Sequence, residues 1–253
     1  MKPLTIPKEI SWISFNERVL QEAENPDTPL IERIKFLGIY SNNQDEFFKV
    51  RVATLKRFAK LKKKEKEILG EDPNKILEQI NERIKFNNSW FRRISAQVIN
   101  DLAKEKIFIV NDSNVLSEHK EFIDLFFKQK IRPHLMPMLF SEKTGTPDLK
   151  DDSMYYIAFI KEKKHRGHIF AAIKVPTNRV SRFVILPEVN GNKYIILLEE
   201  IIYMKIRDIF KSFDIESIES YIIKITKDAE LDINDNISAD YVEILSGIDK
   251  NDV

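Results

Sequence analysis

ISWISFNERVLQEAENPDTPLIERIKFLGIYSNNQDEFFKVRVATLKR, residues 10–57, carries helix signals and a run of uncharged polar residues in close succession. It reads as three helices joined by two tight corners. Ser14 followed by Glu17 has the form of a capping box, opening a helix expected to bury Phe15, Val19, Leu20 and Ala23. The first corner is NPDTP, with Thr28 as a cap and Pro29 at the first helical position, where its missing N–H costs nothing. The second helix carries Leu30, Ile31, Ile34, Leu37 and Ile39 toward Ser41. Ser41, Asn42 and Asn43 then make the second corner, where Asn43 followed by Glu46 repeats the cap pattern ahead of Phe47 and Phe48.

Outward from this stretch, the third helix is expected to run from Gln44 through Phe48, Val52, Leu55 and Ala59 into the charged tract KLKKKEKE, ending near Gly70. Asp72 and Pro73 start a fourth, whose apolar positions keep helical spacing for about thirty residues, roughly 45 Å, with Asn87 as a polar break. Together these elements predict an N-terminal antiparallel helical bundle over residues 1–106. Past Lys106 the pattern turns to short β-branched and aromatic runs. IFIV at 107–110 is a strand, and a helix after Ser117 buries Phe122, Ile123, Phe126, Phe127 and Ile131 before Pro133 stops it. LMPMLF leads into a polar loop. MYYIAFI and HIFAAIKV pair around a charged turn, and RFVILP and KYIILL pair around NGN, a direct hairpin signal. EEIIYMKIRDIF reads as a helix and SYIIKIT as a last strand. Residues 107–253 are therefore expected to form a mixed α+β head domain, and the fold class is α + (α+β). ISADYVEIL opens an apolar stripe too short to bury itself, so the head domain is expected to be truncated at its C-terminus.

An Asn amide at a helix start also offers a donor and an acceptor to the edge of a heterocycle, so Asn43 reads either as a cap alone or as a cap that also touches a nucleotide. SWISFNERVLQEA, PLIERIKFLGIYSNNQDEFFKVRVA and the later TKDAELD, in this order, resemble the N-terminal part of bacterial polyphosphate kinase, which makes polyphosphate from ATP. The resemblance covers nearly the whole chain but only the first part of the family's length. It implies reversible transfer of the terminal phosphate of ATP to polyphosphate with Mg2+, a homo-oligomer, and ATP contact through Asn43. It also implies that the catalytic histidine and the Mg2+ ligands lie in C-terminal catalytic domains beyond this segment, so the segment alone is expected to be inactive. Gln44 and Lys49 stand where the family commonly has apolar residues.

Composition narrows the rest. Lys plus Arg number 41 against 40 Asp plus Glu, a net charge of +1, so bulk charge does not call for a polyanion and no DNA partner is expected. Cysteine is absent, which excludes thiolate nucleophiles and sulfur-ligated zinc. No apolar run reaches membrane-spanning length and the N-terminus has no apolar signal core, which predicts a cytoplasmic chain. No phosphate-binding glycine loop is present, which rules out a P-loop kinase. Of His119, His134, His165 and His168 only the last two are close in sequence, a poor metal or phosphohistidine set. No catalytic or metal-ligating residue is assigned.

Lys49, Lys56, Lys60 and Lys63 fall on neighbouring faces of the third helix. They read as a solvated face or as a stripe that follows a linear polyanion. That stripe supports the alternative function, a non-catalytic adaptor for polyanions or nucleic acid. Arg51, beside the apolar stripe, is expected to pair with Asp45 or Glu46. Trp12, Phe47, Phe48 and Trp90 have core spacing more than that of a base-stacking surface. The acidic cluster from Asp228 to Asp235 lacks the glycine and closing glutamate of a calcium loop.

Overall fold

A computed structural model of the chain describes residues 6–61, 72–141, 143–163 and 168–228, the last range without the His168 side chain. These fall into two compact units, residues 6–100 with 227–228, and residues 101–226. The first is helical and the second mixes sheets with helices, which is the fold class expected from the sequence.

In the first unit α1 spans Lys8–Glu24, six residues ahead of the expected start. Ser14 is not a cap. Its hydroxyl donates to the Ile10 carbonyl at 3.1 Å from inside the helix, because Ile10, Ile13 and Leu20 share a face and extend the apolar stripe back to Pro7. That phase leaves Phe15, expected in the core, 60% exposed. A corner forms at NPDTP, where the Asp27 N–H donates to Asn25 Oδ1 at 3.0 Å, but Thr28 does not cap and Pro29 stands just before α2, Leu30–Glu46, instead of at its first helical position.

The second corner does not exist. Helical backbone continues from α2 through a π-helical turn, Phe47–Val52, into α3, Ala53–Phe58. Two asparagines cost a helix less than about 1.5 kcal/mol in propensity. Tyr40 and Phe47, two turns apart and both buried, are held on one face only if the helix runs through SNN. The π turn then inserts one residue. It brings Val52, 3% exposed, to the core where regular spacing would bring Arg51. α4, Pro73–Lys104, starts where the sequence predicts. The tract at 62–71, including Lys63, lies outside the described residues, as do His165, the acidic cluster beyond Asp228 and the apolar stripe after Ala239.

The first unit has two apolar clusters. Ile10, Ile13, Phe47, Val52, Leu55 and Ile80 form one, and Leu20, Ala23, Tyr40, Ile94 and Val98 the other. Trp12 stacks on Phe47 with centroids 4.6 Å apart, so these rings are core.

The second unit has two sheets. β1 (Ile107–Val110) lies parallel to β6 (Asn192–Leu197), which pairs antiparallel with β5 (Phe183–Val189). The NGN hairpin is present, with Asn190 at φ 51° and Gly191 at φ 75°, the left-handed pair a tight primed turn requires. The second sheet runs β2 (Met138–Phe140), β4 (His168–Lys174), β3 (Ser153–Glu162), β7 (Ile215–Ile225), all antiparallel. β2 is a strand the sequence reading passed over, an edge of three residues without alternation. α5 (Lys120–Phe126) continues through a π-helical turn, and the helix expected over 199–210 breaks at Lys205 into α6 (Leu198–Met204) and a short turn of helix at Ile206–Ile209. Ile123, Phe127, Tyr156, Ile160, Ile196 and Ile201 join both sheets and both helices in one core.

Candidate functional site

A polar layer separates the two apolar clusters of the helical unit, built from one step of each helix. On α1 it is Asn16 and Glu17, between Ile13 and Leu20. On α2 it is Tyr40 and Asn43. On α4 it is Arg83 and Asn87, the position that breaks the apolar spacing. Arg83 donates to both Glu17 oxygens, Nε to Oε1 at 3.1 Å and Nη2 to Oε2 at 2.7 Å, and Asn87 Nδ2 donates to Glu17 Oε1 at 3.1 Å. Asn16, 3% exposed, donates to the Tyr40 carbonyl at 3.2 Å and accepts from Asn43 Nδ2 at 3.0 Å.

Asn43 is half-buried and does not cap a helix. With Nδ2 tied to Asn16, the amide plane is fixed. Its Oδ1 accepts no hydrogen bond among the described residues and is not among the sealed polar atoms. The group therefore presents an oriented acceptor, beside the second N–H of Nδ2, at the margin of the helical seam. A hydrogen-bonding edge of this kind matches a heterocycle bearing an exocyclic amine next to a ring nitrogen.

Tyr40, 3% exposed, is held well above its ordinary range, pushed up to about 12. Burial is the largest cause and the Glu17 charge the next; the Asn87 amide pulls the other way, although the two groups fall short of hydrogen-bond geometry. A phenol that stays protonated in the folded state favours folding fully below its unfolded pKa near 10 and loses that contribution as pH rises toward 12. The chain is expected to lose about 1.4 kcal/mol from this group between pH 8 and pH 11. Tyr40→Phe should lack that part of the slope, as urea unfolding at the two pH values measures.

The lysines do not share one environment. Lys56 and Lys60 are exposed, whereas Lys49 is half-buried in the π turn and already has an interaction partner. Arg51 does not pair with Asp45 or Glu46: the π turn directs it outward, onto the lining of a cleft, where it has no ion-pair partner among the described residues. In the second unit His119 is sealed, its Nε2 3.0 Å from the Pro187 carbonyl and its ring edge-on to Tyr194, while His134 is exposed. A cleft of about 690 Å³ there is lined by Asp112, Arg207 and Glu219 with Tyr203 and Tyr221. Nearby Glu200 has its carboxyl pKa raised, by burial first; the Asp112 backbone pulls it back down, and the charges of Asp112 and Glu199 push it up. Among the described residues no three His, Asp or Glu side chains converge on a metal position, and no helix is long and apolar enough to cross a membrane.

Asn16, Tyr40 and Arg83 were not singled out from the sequence, and Glu17 only as the partner of Ser14 in a capping box that does not form. Asn87 was, as an interruption of the α4 stripe, and that interruption was the one available signal of a buried polar layer.

The polyphosphate kinase N-terminal domain profile matches residues 5–110, and the polyphosphate kinase middle domain profile matches residues 118–248. The polyphosphate kinase of Vibrio parahaemolyticus serotype O3:K6 is 38% identical over 247 residues, 96% of this chain and 35% of that protein. That of Escherichia coli strain K12 is 37% identical over 248 residues, with 96% and 35% covered. The crystal structure of polyphosphate kinase from Porphyromonas gingivalis superposes with a TM-score of 0.75 at 31% identity, covering 89% of this chain and 33% of that one. The chain thus spans about a third of the length of these relatives.

Proposed function

The chain belongs to the polyphosphate kinase family, and from that premise we propose that it is the N-terminal portion of an enzyme reversibly transferring the terminal phosphate of ATP to polyphosphate. Its own part is recognition of the purine. The observation carrying this reading is the Asn43 amide, fixed through Nδ2 by the buried Asn16 and left with an acceptor that no described residue occupies. Adenine offers a complementary edge, an amino donor beside a ring nitrogen. An oriented amide engages that edge without first giving up rotational freedom.

Transfer of a phosphoryl group needs in-line positioning and neutralisation of charge on the phosphate oxygens. We assign that work, the Mg2+ that accompanies ATP, and the histidine that carries the phosphate to the remaining C-terminal domains of the longer enzyme. The exposed Lys56 and Lys60, with Lys49 about two turns earlier, supply a positive margin suited to polyphosphate. Subunit contacts between copies, and a cytoplasmic location consistent with a chain free of cysteine, complete the reading.

Incubated with ATP and Mg2+, the 253-residue chain is expected to make no polyphosphate. ATP should nevertheless shift the side-chain amide resonances of Asn43 and Asn16 in a 1H–15N spectrum, a shift missing in Asn43→Ala. Turnover by the chain alone would overturn the division of labour, and unmoved amide signals would overturn the purine contact.

A further inference from the structure

A second cleft, of about 370 Å³, lies in the helical unit at the start of α1, beside the π turn and the start of α4. Its volume is near the lower end of about 300–1,000 Å³ typical of ligand sites, which fits a small metabolite. The walls are apolar, from Val50, Leu55, Phe58 and Ile76. Glu9 also lines it. This residue is only 8% exposed and has no hydrogen-bond or ion-pair partner among the described residues. Its side chain is packed into the wall and its carboxylate oxygens are not sealed, so the charge faces the cleft and is open to a cationic group entering it. The first turn of α1 favours a negative charge through its unpaired backbone N–H groups but offers no counter-charge of full strength.

Two cations stand on the same lining. Arg51 is turned outward by the π turn, and neither it nor Lys8 has an ion-pair partner among the described residues. A simple amine seated on Glu9 would meet repulsion from both, and a phosphate drawn to them would meet Glu9. A metal ion would find a single carboxylate where several oxygens are needed. The charge pattern fits a ligand carrying an ammonium and a carboxylate on one carbon, with an apolar group for the walls. We infer that this cleft binds a free apolar α-amino acid as its zwitterion. The ammonium lies on Glu9, and the carboxylate takes the Arg51 guanidinium in the paired geometry that planar groups favour. Val50 and Arg51 belong to the π turn that joins α2 to α3, so occupancy of the cleft stabilises that turn. The inference stands apart from the purine contact at Asn43, which uses none of these side chains.

Calorimetric titration of the 253-residue chain with L-leucine is expected to show one saturable site at millimolar ligand. L-Leucinamide, lacking the carboxylate, and 4-methylpentanoate, lacking the ammonium, should each bind about tenfold more weakly or worse, the loss of one charge-assisted contact. Glu9→Gln, nearly the same size, should lose leucine binding by a similar factor while keeping its melting temperature. If that variant fails to fold, the analogue series on the unaltered chain decides. No saturable heat with leucine, an analogue that binds as tightly as leucine, or undiminished binding by folded Glu9→Gln would each overturn the proposal.

Discussion

Glu17→Ala is expected to destabilise the helical unit by about 3 kcal/mol, far more than loss of a typical half-exposed glutamate. Glu17 closes the polar layer between α1 and α4: it receives both arms of Arg83 and the Asn87 amide. Its side chain is 15% exposed and that of Arg83 37% exposed, so the arginine can turn to water once the carboxylate is gone. Asn87 cannot. It is 1% exposed and its Oδ1 is already without a hydrogen bond, so losing Glu17 strands the whole amide in the interior. That stranding accounts for about 1–3 kcal/mol and the lost charge-assisted contact for a similar amount, partly recovered by rehydrated Arg83. Trp12 and Trp90 are the only tryptophans in the chain and both lie in this unit. Urea unfolding followed by tryptophan fluorescence therefore reports this unit separately from the other. Glu17→Gln, which keeps one acceptor, should fall between. A change below about 1 kcal/mol in the alanine variant would mean that the layer contributes alignment but little stability.

How much of this was legible beforehand differs from element to element. The hairpins of the second unit were readable because their signals are local: the Asn190 and Gly191 backbone must be left-handed whatever surrounds it. The start of α4 at Pro73 was readable for the same reason. The corner at Ser41 to Asn43 was misread because capping residues describe what an isolated chain prefers. Here the burial of Tyr40 and Phe47 on one face outweighs that preference. The π turn left no local signature. It becomes intelligible only once Phe47, Val52 and Leu55 are seen to need the same side of the helix. Phe15 and Arg33 make the same point in opposite directions. The phenylalanine is exposed because it falls out of phase with Ile13 and Leu20. The arginine, 4% exposed, is inside because it is in phase with Tyr40, and its Nε donates to the Ala23 carbonyl at 2.8 Å. Periodicity set by side-chain type alone therefore locates helices better than it locates their buried faces. The partners of Asn43 were invisible for a related reason: Asn16 is 27 residues away in sequence and reads as an ordinary surface amide.

Asn43→Ala is expected to weaken ATP binding about tenfold while leaving the helical unit folded. The amide gives up one hydrogen bond to Asn16 in the free chain, which costs about 1 kcal/mol of stability because the site is only half-buried. In the complex it gives up its contact with adenine, and a well-oriented amide to the adenine edge is worth about 1–3 kcal/mol of discrimination against the wrong base. The effect should therefore fall mainly on selectivity. Guanine carries a carbonyl where adenine carries the amino group, so it sets an acceptor against the oriented Asn43 Oδ1 instead of a donor. The unaltered chain should prefer ATP to GTP by about tenfold, and Asn43→Ala should bind both alike, at the level of GTP in the parent. Asn16→Ala supplies the complementary case. It leaves the Asn43 amide in place but removes what orients it, so affinity for ATP should fall by less than in Asn43→Ala. Titrations read by side-chain amide shifts, with unfolding curves on the same samples, separate the two roles. If Asn43→Ala keeps the full preference for ATP over GTP, the amide serves only to join α2 to α1, and purine selection resides elsewhere in the enzyme.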